Sequence, residues 1–304
     1  PAAKLNSLEK TQKQKYREAK RTLIHEFSKK KQHLAVMELM QNYSDLVNGL
    51  LPVWMMNPLA VSHFLPCIEN LFDYVIFDEA SQIPLEDAMP AVHRGKNLVV
   101  VGDSQQMPPG QFFSANSEGK TLLDQAESVF PQVMLTNHYR SQHPDLIQFS
   151  NRHFYDFELT TLPAVTLEHP IVRIPVNGVF EDGKNVPEAQ ALARHYSHLL
   201  TQGKTDIGII AFSKEQQQEI ERQLKLLKLN ENENLLLRNL ENVQGIEKDI
   251  ILISIGYARN QAGHFRKQFG PVNHERGANR LNVLFTRAKR QMVVFTSINA
   301  ADFG

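Results

Sequence analysis

Residues 74–81 read YVIFDEAS, a short apolar run followed directly by two carboxylates. A run of strand length made of apolar, β-favouring residues predicts a parallel strand that is buried on both faces of its sheet. In open parallel sheets, ligands bind beyond the carboxyl ends of the strands. We therefore expect Asp78 and Glu79 to lie at a sheet edge where a ligand binds.

Further elements of an alternating α/β pattern follow along the chain. The predicted strands are LVVV at 98–101, IGIIAF at 207–212, IILISI at 250–255 and MVVFT at 292–296. Apolar residues at helical spacing predict a helix from Lys214 to about Leu227, and another helix begins near Pro187. Residues 159–185 predict a loop and an edge strand.

These elements predict an α/β fold with two parallel-sheet lobes that meet near residue 135. The first fifty residues are instead rich in Lys, Gln, Glu and Leu, which predicts a basic helical arm. The expected organisation is an arm at 1–50, a first lobe at 51–135 and a second lobe at 136–304.

Overall composition excludes several classes of protein. The chain has 304 residues, with 33 Lys and Arg against 33 Asp and Glu, so it is not a uniformly basic coat protein for nucleic acid. Its apolar runs are far shorter than the roughly 20 residues that a membrane-spanning helix needs. The single cysteine, Cys67, excludes an internal disulfide and a multi-cysteine zinc site, and it favours a reducing, cytoplasmic compartment.

Polar segments stand at the ends of the predicted strands and helices. They are GDSQQMPP at 102–109, HYRSQHP at 138–144, ENVQGIEKD at 241–249 and NRLNVLFTRAK at 279–289. The last segment predicts a helix with Arg280 and Arg287 two turns apart on one side. Taken singly, each segment has an ordinary structural interpretation, such as a helix cap for residues 78–79, a turn for 102–109, or a structural arginine.

Taken together and in this order, the segments resemble motifs II to VI of superfamily 1 helicases. The chain is most similar to the branch that contains the nonsense-mediated-decay RNA helicase, and within it to large bacterial multidomain AAA-type DNA helicases. Two stretches are typical of that group, NLENVQG at 239–245 and FGPVN at 269–273. A third, WMMNPLAVS at 54–62, is similar to a nucleic-acid-contacting motif of the first lobe.

The resemblance implies an ATP-dependent helicase with two RecA-like lobes and with ATP and Mg²⁺ as cofactors. On the first lobe, it implies that Asp78 holds Mg²⁺ through water and that Glu79 is the general base. Gln106 would sense the γ-phosphate from the same lobe. A nucleotide triphosphate carries several negative charges, and the guanidinium fork matches phosphate oxygens in pairs.

On the second lobe, the resemblance implies that Arg140 and Arg287 reach the γ-phosphate as two arginine fingers. Gly245 would lie against the phosphates, Glu247 near the ribose, and Arg280 would also contact the nucleotide. The sequence departs from the family pattern at two motif edges. Glu241 stands where the family usually has aspartate, and Asn279 stands where it usually has a first arginine.

Local charge and aromatic residues predict a binding groove for single-stranded nucleic acid, and the resemblance to DNA helicases favours DNA over RNA as the strand. Residues 1–33 carry ten Lys and Arg against three Glu, and residues 259–290 carry eight against one. A solvated helix face is the alternative for such charge runs, and core packing is the alternative for the aromatic residues. The candidate contacts are Lys29, Lys30, Lys31, Asn57 and Ser62, with Trp54, His63 and Tyr139 as candidates for base stacking.

A phosphate-binding loop, Gly-x-x-x-x-Gly-Lys-Ser/Thr after a strand, does not occur in this sequence. The GKT triplets at 119–121 and 203–205 lack the first glycine and follow no predicted strand. We expect the loop to lie upstream in the same protein, so that the first lobe is incomplete and this chain alone hydrolyses ATP poorly or not at all. The alternative is an ATPase-deficient nucleic-acid clamp or scaffold module, against which the intact residues 78–79 and both arginines argue.

Overall fold

The computed structural model describes residues 10–107, 120–162, 169–230, 234–273 and 277–303. The chain divides into two compact units. The first ends at Pro131, and the second runs from Gln132 onward and also includes the short segment Gln105–Met107. In the described ranges, no helix is both long and apolar enough to span a bilayer.

The first unit begins with helices and continues into a small sheet. Its elements in chain order are α1 (Lys10–Ser28), α2 (Val36–Leu50), α3 (Pro58–Phe64), β1 (Phe72–Phe77), α4 (Leu85–Val92), β2 (Gly95–Val100) and α5 (Leu122–Val129).

The basic arm is not one continuous helix, because the chain leaves helical conformation between Ser28 and Val36. Glu26 is only 2 % exposed and holds this turn. Its carboxylate accepts from the Lys29 ammonium at 2.5 Å and from the Leu34 amide at 2.6 Å. In this turn, the Glu26 carboxylate therefore provides an acceptor for the Lys29 ammonium and for the Leu34 amide, which lies beyond the end of α1.

The first sheet is parallel, with Ile76 opposite Val99. One face packs on α4 and α5 through a small core that includes Phe77, Ala88 and Leu122. On the other face Tyr74 is 64 % and Ile76 66 % exposed. The prediction that these strands are buried on both faces is therefore wrong for this sheet, because the described helices cover only one side of it.

The second unit contains most of the regular structure. Its elements in chain order are β3 (Asn137–His138), α6 (Asp145–Phe154), β4 (Thr160–Thr161), β5 (Ile171–Pro175), α7 (Val186–Thr201), β6 (Ile207–Ala211), α8 (Lys214–Leu226), β7 (Leu236–Asn239), β8 (Lys248–Ser254), α9 (Gly277–Phe285) and β9 (Ala288–Thr296).

Five of these strands form one parallel sheet in the order β5-β9-β8-β6-β7. Both faces are covered. Ile209 and Leu252 belong to a core with α7 and α8, whereas Ile251 and Ile253 belong to a core with α6 and α9. The predicted parallel α/β class is confirmed, and β5 is the edge strand expected within residues 159–185.

Local signals in the sequence place the main helices of the second unit. Ser213 caps α8 by accepting from the Gln216 amide, and Asn185 caps α7, where Pro187 occupies the first turn. The GKT triplets have structural roles. Thr121 caps α5 with Asp124, and residues 203–205 lead into β6 rather than out of a strand.

A buried carboxylate joins α7 to the carboxyl ends of β8 and β9. Oε1 of Glu188 accepts from the Ser254 hydroxyl at 2.8 Å and the Gly256 amide at 2.6 Å. Oε2 accepts from the Asn185 amide at 3.3 Å and the Ser297 hydroxyl at 3.2 Å. Burial outweighs these hydrogen bonds and raises the pKa of Glu188 from 4.5 to about 7.

We expect the stability of the chain to fall between about pH 4.5 and pH 7 because of Glu188. The folded state binds the proton more tightly than the unfolded state, so this contribution is complete below the unfolded pKa and is lost as pH rises through the folded pKa. Its size is roughly 3 kcal/mol across the window. Urea unfolding at pH 5 and pH 8 measures it, and Glu188→Gln should remove this part of the pH dependence.

The matched control is Glu215→Gln, which changes an exposed glutamate on the neighbouring helix. It should keep the pH dependence of the wild type. If Glu188→Gln also keeps it, Glu188 is ionised in the folded chain and the raised pKa is wrong.

Candidate active site

The first-unit carboxylates lie where the sequence predicts, directly after β1 at the carboxyl edge of its sheet. Both Asp78 and Glu79 are exposed. Oδ1 of Asp78 accepts from the Glu79 amide at 2.9 Å, and Gln82 donates to Glu79 at 3.3 Å. Glu79 has a φ of 54°, a left-handed conformation that non-glycine residues rarely adopt. It stands at the start of the 3₁₀ turn Ala80–Gln82 without capping it, so the helix-cap interpretation fails for its side chain.

The segment after β2 lies against this turn. The Ala80 amide donates to the Val101 carbonyl at 3.0 Å. A Cβ on Gly102 would come within 3.3 Å of the Ala80 and Ser81 amides and within 3.0 Å of Leu123. A larger residue at this position would crowd these amides, so glycine favours the close approach. The two loops that follow the first two strands are therefore neighbours at one sheet edge.

Gln106 groups with the second unit by its contacts, whereas the resemblance implies that it acts from the first lobe. Nδ2 of Asn279 donates to the Gln106 carbonyl at 2.9 Å, and Nδ2 of Asn282 donates to the Gln105 carbonyl at 2.9 Å. Met107 is 7 % exposed and belongs to the core of the second unit. The asparagine that departs from the family pattern thus has a structural function in this chain.

Three charged side chains from distant segments meet in the second unit. Nε of Arg140 donates to Oε2 of Glu247 at 3.1 Å, and Nζ of Lys289 lies 2.8 Å from Oε1. The Lys289 hydrogen bond, more than the charge of Arg140, holds the pKa of Glu247 below its ordinary value. The same bond raises the pKa of Lys289. Both shifts favour the ionised forms of Glu247 and Lys289.

Arg287 lies beyond α9, which ends at Phe285, so the prediction that Arg280 and Arg287 share one side of a helix is wrong. Arg287 is 3 % exposed. Its guanidinium donates to the Val283 carbonyl at 2.8 Å, the Ile246 carbonyl at 3.3 Å and the Thr286 hydroxyl at 2.8 Å. It fastens the loop that contains Gly245 and Glu247 to the end of α9.

Arg280 is paired with the glutamate that departs from the family pattern. Nε and Nη2 of Arg280 donate to the two carboxylate oxygens of Glu241 at 3.0 and 3.3 Å. Such a fork-on-fork pair fixes the geometry of both groups. In this conformation the guanidinium of Arg280 is directed at Glu241, and a nucleotide contact would have to compete with that pair.

Gly245 sits in an open part of the same loop. Its φ is +75°, and a Cβ placed on it would meet no atom within 4 Å. Glycine is required there by the backbone conformation rather than by a crowded contact.

Glu247, Arg287 and Lys289 lie at the amino edge of the second unit's sheet, contrary to the expectation of a carboxyl-edge site, whereas Glu241 directly follows β7 at the carboxyl edge. Lys248 is paired with Ala288 at the start of β8 and β9, and its amide donates to the Arg287 carbonyl at 3.1 Å. The reason is the connection at 240–247, which returns the chain from the carboxyl end of β7 to the amino end of β8. Of the two predicted sets of site residues, only the first-unit carboxylates lie wholly at a carboxyl edge.

The lysines predicted to contact nucleic acid differ from one another. Lys29 is paired with Glu26 at 2.5 Å, whereas Lys30 and Lys31 are exposed. Oδ1 of Asn57 accepts from the Ala60 amide at 2.7 Å and so caps α3. That hydrogen bond engages the side-chain oxygen of Asn57.

The remaining nucleic-acid candidates are more open. Ser62 and His63 are exposed on α3, and Tyr139 is 86 % exposed beside Arg140. Trp54 is half-buried, and its Nε1 is buried without a hydrogen-bond partner among the described residues. Exposure makes His63 and Tyr139 better stacking candidates than Trp54.

Sequence reasoning did not single out Lys289, although it stands at the end of the quoted segment 279–289. A lysine two residues after a predicted arginine gives no signal of its own, because its partner Glu247 is distant in sequence. No group of three His, Cys, Asp or Glu side chains in the described ranges is arranged to hold a metal. Mg²⁺ bound with a nucleotide needs only one or two protein carboxylates, and the exposed Asp78 fits that need.

Residues 119–299, more than half of the chain, match the AAA domain family designated AAA_12. The chain belongs to this AAA domain family. The curated relatives include ATP-dependent helicases, so the superfamily 1 assignment is confirmed. An uncharacterised ATP-dependent helicase of Mycoplasma genitalium, MG140, is 31 % identical over 298 residues, covering 86 % of this chain and 26 % of the relative. Helicase SEN1 of Saccharomyces cerevisiae is 28 % identical over 255 residues, covering 73 % of this chain and 11 % of the relative.

This AAA-domain chain therefore spans about a quarter or less of the length of these two relatives. Among solved structures, it is similar to the arterivirus nonstructural protein 10 helicase at 14 % identity. That match has a TM-score of 0.40 and covers 74 % of this chain and 39 % of the other. At this TM-score, the likeness carries no argument of its own.

We expect the two candidate arginines to differ in their effect on stability. Arg287→Met should lower the free energy of unfolding by about 2 kcal/mol, because buried carbonyl oxygens lose their donor. Arg140→Met should change it by less than about 1 kcal/mol, because its ion pair with Glu247 is exposed to solvent. Urea unfolding of both variants measures the difference. Equal losses would contradict the burial of Arg287.

Proposed function

We propose that this chain is part of an ATP-dependent helicase core, in which ATP hydrolysis between two RecA-like lobes drives movement along single-stranded nucleic acid. The observation that carries the proposal is a convergence of three segments. Arg140, the loop that contains Gly245 and Glu247, and Arg287 are joined by hydrogen bonds although they are far apart in sequence. Basic groups gathered beside an open glycine loop suit a polyphosphate.

In this proposal the first unit supplies the general base that activates water and the carboxylate that would bind the metal ion. Glu79 accepts the proton of the attacking water, and the exposed Asp78 holds Mg²⁺ through water. When bound, the metal ion supplies positive charge that offsets the negative charge of the phosphates. The neighbouring loop at 102–104 lies against residues 80–81 and holds the loop that contains Asp78 and Glu79 in place.

The second unit supplies the positive groups that respond to the nucleotide. Arg140 donates to the γ-phosphate, Gly245 offers its amide to the phosphates, and Glu247 lies near the ribose. Arg287 reaches the γ-phosphate only if its guanidinium exchanges protein oxygens such as the Ile246 carbonyl for the nucleotide. Gln106 reports the state of the γ-phosphate to α9 through Asn279. Arg280 joins the site if it exchanges Glu241 for the nucleotide.

The phosphate-binding loop is supplied, in this proposal, by another segment of the same protein. No such loop occurs in the sequence of this chain. The open outer face of β1 and β2 supports the proposal, because parallel sheets of two strands with one bare face are rare. The chain alone should then hydrolyse ATP poorly or not at all.

The nucleic acid is proposed to be single-stranded DNA rather than RNA, because the curated relatives include a DNA replication ATP-dependent helicase/nuclease of Gallus gallus. The groove would use Lys30, Lys31 and Ser62, with His63 and Tyr139 stacking on bases. We also propose the cytoplasm as the compartment, since the one cysteine, Cys67, is free and exposed.

Glu79→Gln in the full-length protein should lower the kcat of nucleic-acid-stimulated ATP hydrolysis by about 10²- to 10⁴-fold, because the amide cannot accept the proton of water. The KM for ATP should change little, since Glu79 is not proposed to hold the nucleotide. Phosphate release measured with and without single-stranded DNA tests this.

The matched control is Glu69→Gln, which removes an exposed carboxylate of the same unit outside both loops. It should keep the wild-type rate. Wild-type turnover by Glu79→Gln would exclude Glu79 as the base and would favour the clamp or scaffold alternative.

The double variant Lys30→Gln/Lys31→Gln should bind single-stranded DNA with a weaker salt dependence. Two lost phosphate contacts reduce the slope of log K against log salt concentration by about 1.4. Lys29→Gln should reduce the slope less, because Glu26 already serves as the counterion of Lys29. Fluorescence anisotropy of this chain with labelled oligo(dT) and oligo(rU) over a salt series measures the slopes and the preference for DNA.

The control of equal charge change is Lys225→Gln/Lys228→Gln, at the end of α8 in the second unit. Its salt dependence should equal that of the wild type. If both double variants have the wild-type slope, the basic arm does not contact the strand.

A further inference from the structure

We propose that Lys289 and Glu247 are positioning residues that hold the guanidinium of Arg140 in the orientation needed to reach the nucleotide. The inference rests on the proposed function and adds a residue, Lys289, that the family resemblance leaves without a role. It also gives Glu247 a role other than contact with the ribose.

The first argument is the way in which Arg140 is held. Its Nε donates to Oε2 of Glu247 at 3.1 Å, and its two terminal nitrogens have no protein partner within the described ranges. A guanidinium group is planar, so fixing Nε fixes the direction of Nη1 and Nη2. The two terminal nitrogens are the pair that binds phosphate oxygens side by side. The guanidinium of Arg140 is thus fixed at Nε, while Nη1 and Nη2 are left to bind a ligand.

The second argument is that Lys289 fixes Glu247 in turn. Nζ of Lys289 lies 2.8 Å from Oε1, the carboxylate oxygen that Arg140 does not use. With both oxygens engaged, the carboxylate cannot rotate without breaking a charge-assisted hydrogen bond. The lowered pKa of Glu247 and the raised pKa of Lys289 keep both groups ionised.

The third argument is that β9 also holds the backbone of the arginine's own segment. The Gln142 amide donates to the carbonyl of Lys289 at 2.7 Å. Lys289 is therefore linked to Arg140 in two ways. Its side chain is linked to the guanidinium through Glu247, and its carbonyl binds the backbone two residues after Arg140. β9 is an inner strand of the five-stranded sheet. Lys289 therefore anchors Arg140 to a strand of the core sheet rather than to a loop.

The three side chains are partly exposed, so their ion pairs contribute little to folding stability. A positioning role and a purely structural role therefore differ in what they change. Loss of Lys289 should affect turnover and leave the unfolding midpoint of the chain unchanged.

The experiment measures kcat and KM for ATP in the full-length protein with single-stranded DNA present. The variants are Lys289→Met, Lys289→Arg, Arg140→Met and the double variant Arg140→Met/Lys289→Met. We expect Lys289→Met to lower kcat by about 10- to 100-fold, which is the cost of a misplaced catalytic group. Lys289→Arg should restore most of the rate. The double variant should be no slower than Arg140→Met, because Lys289 acts only through Arg140.

The control Lys225→Met removes a lysine that is paired with Glu221 on α8 and should keep the wild-type rate. Wild-type turnover by Lys289→Met would overturn the proposal. A double variant slower than Arg140→Met by the full Lys289 factor would also overturn it, since Lys289 would then act independently. Absence of ATP hydrolysis by the wild type, or wild-type turnover by Arg140→Met, would instead refute the proposed function itself.

A second measurement separates the positioning role of Glu247 from contact with the ribose. Glu247→Gln is assayed with ATP and with 3′-deoxy-ATP. A positioning residue should give the same loss of kcat with both nucleotides. If the loss disappears with 3′-deoxy-ATP, Glu247 acts on the sugar hydroxyl and its positioning role is wrong.

Discussion

The second unit depends on a short connection. Residues 240–247 must carry the chain from the carboxyl end of β7, past the intervening strand β6, to the amino end of β8 in the same parallel sheet. So short a segment has no room for a helix that would cover the sheet. It lies instead against the end of α9, where the buried guanidinium of Arg287 donates a hydrogen bond to the Ile246 carbonyl. Glu247 and Gly245 are placed at the amino edge as a consequence.

The same constraint gives the two candidate arginines different environments. Arg287 is enclosed because it ties the connection to α9, and its three donors are directed at protein oxygens. Arg140 approaches from outside the sheet and is held only at Nε by Glu247. One arginine organises the loop and the other offers open donors. A substitution at Arg287 should therefore lower folding stability, whereas one at Arg140 should leave it nearly unchanged.

The sequence was a good guide to the elements and a weaker guide to their surroundings. Apolar runs located β6, β8 and β9 because burial on both faces leaves no polar positions in a strand. The same pattern in β1 predicted a buried strand, yet Tyr74 and Ile76 are exposed. A run of apolar residues indicates that a strand can be buried. It does not indicate which other segments cover the strand.

By itself, the amino-acid sequence determined the parallel α/β class, the helix starts near Pro187 and Lys214, and the order of the motifs, because these follow from local periodicity and residue type. Tertiary structure alone decided that Gln106 joins the second unit, that Arg280 pairs with Glu241, and that Lys289 is linked to Arg140 through Glu247. These contacts join residues far apart along the chain. Their partners are chosen by where the strands and connections bring the backbone, which no local pattern encodes.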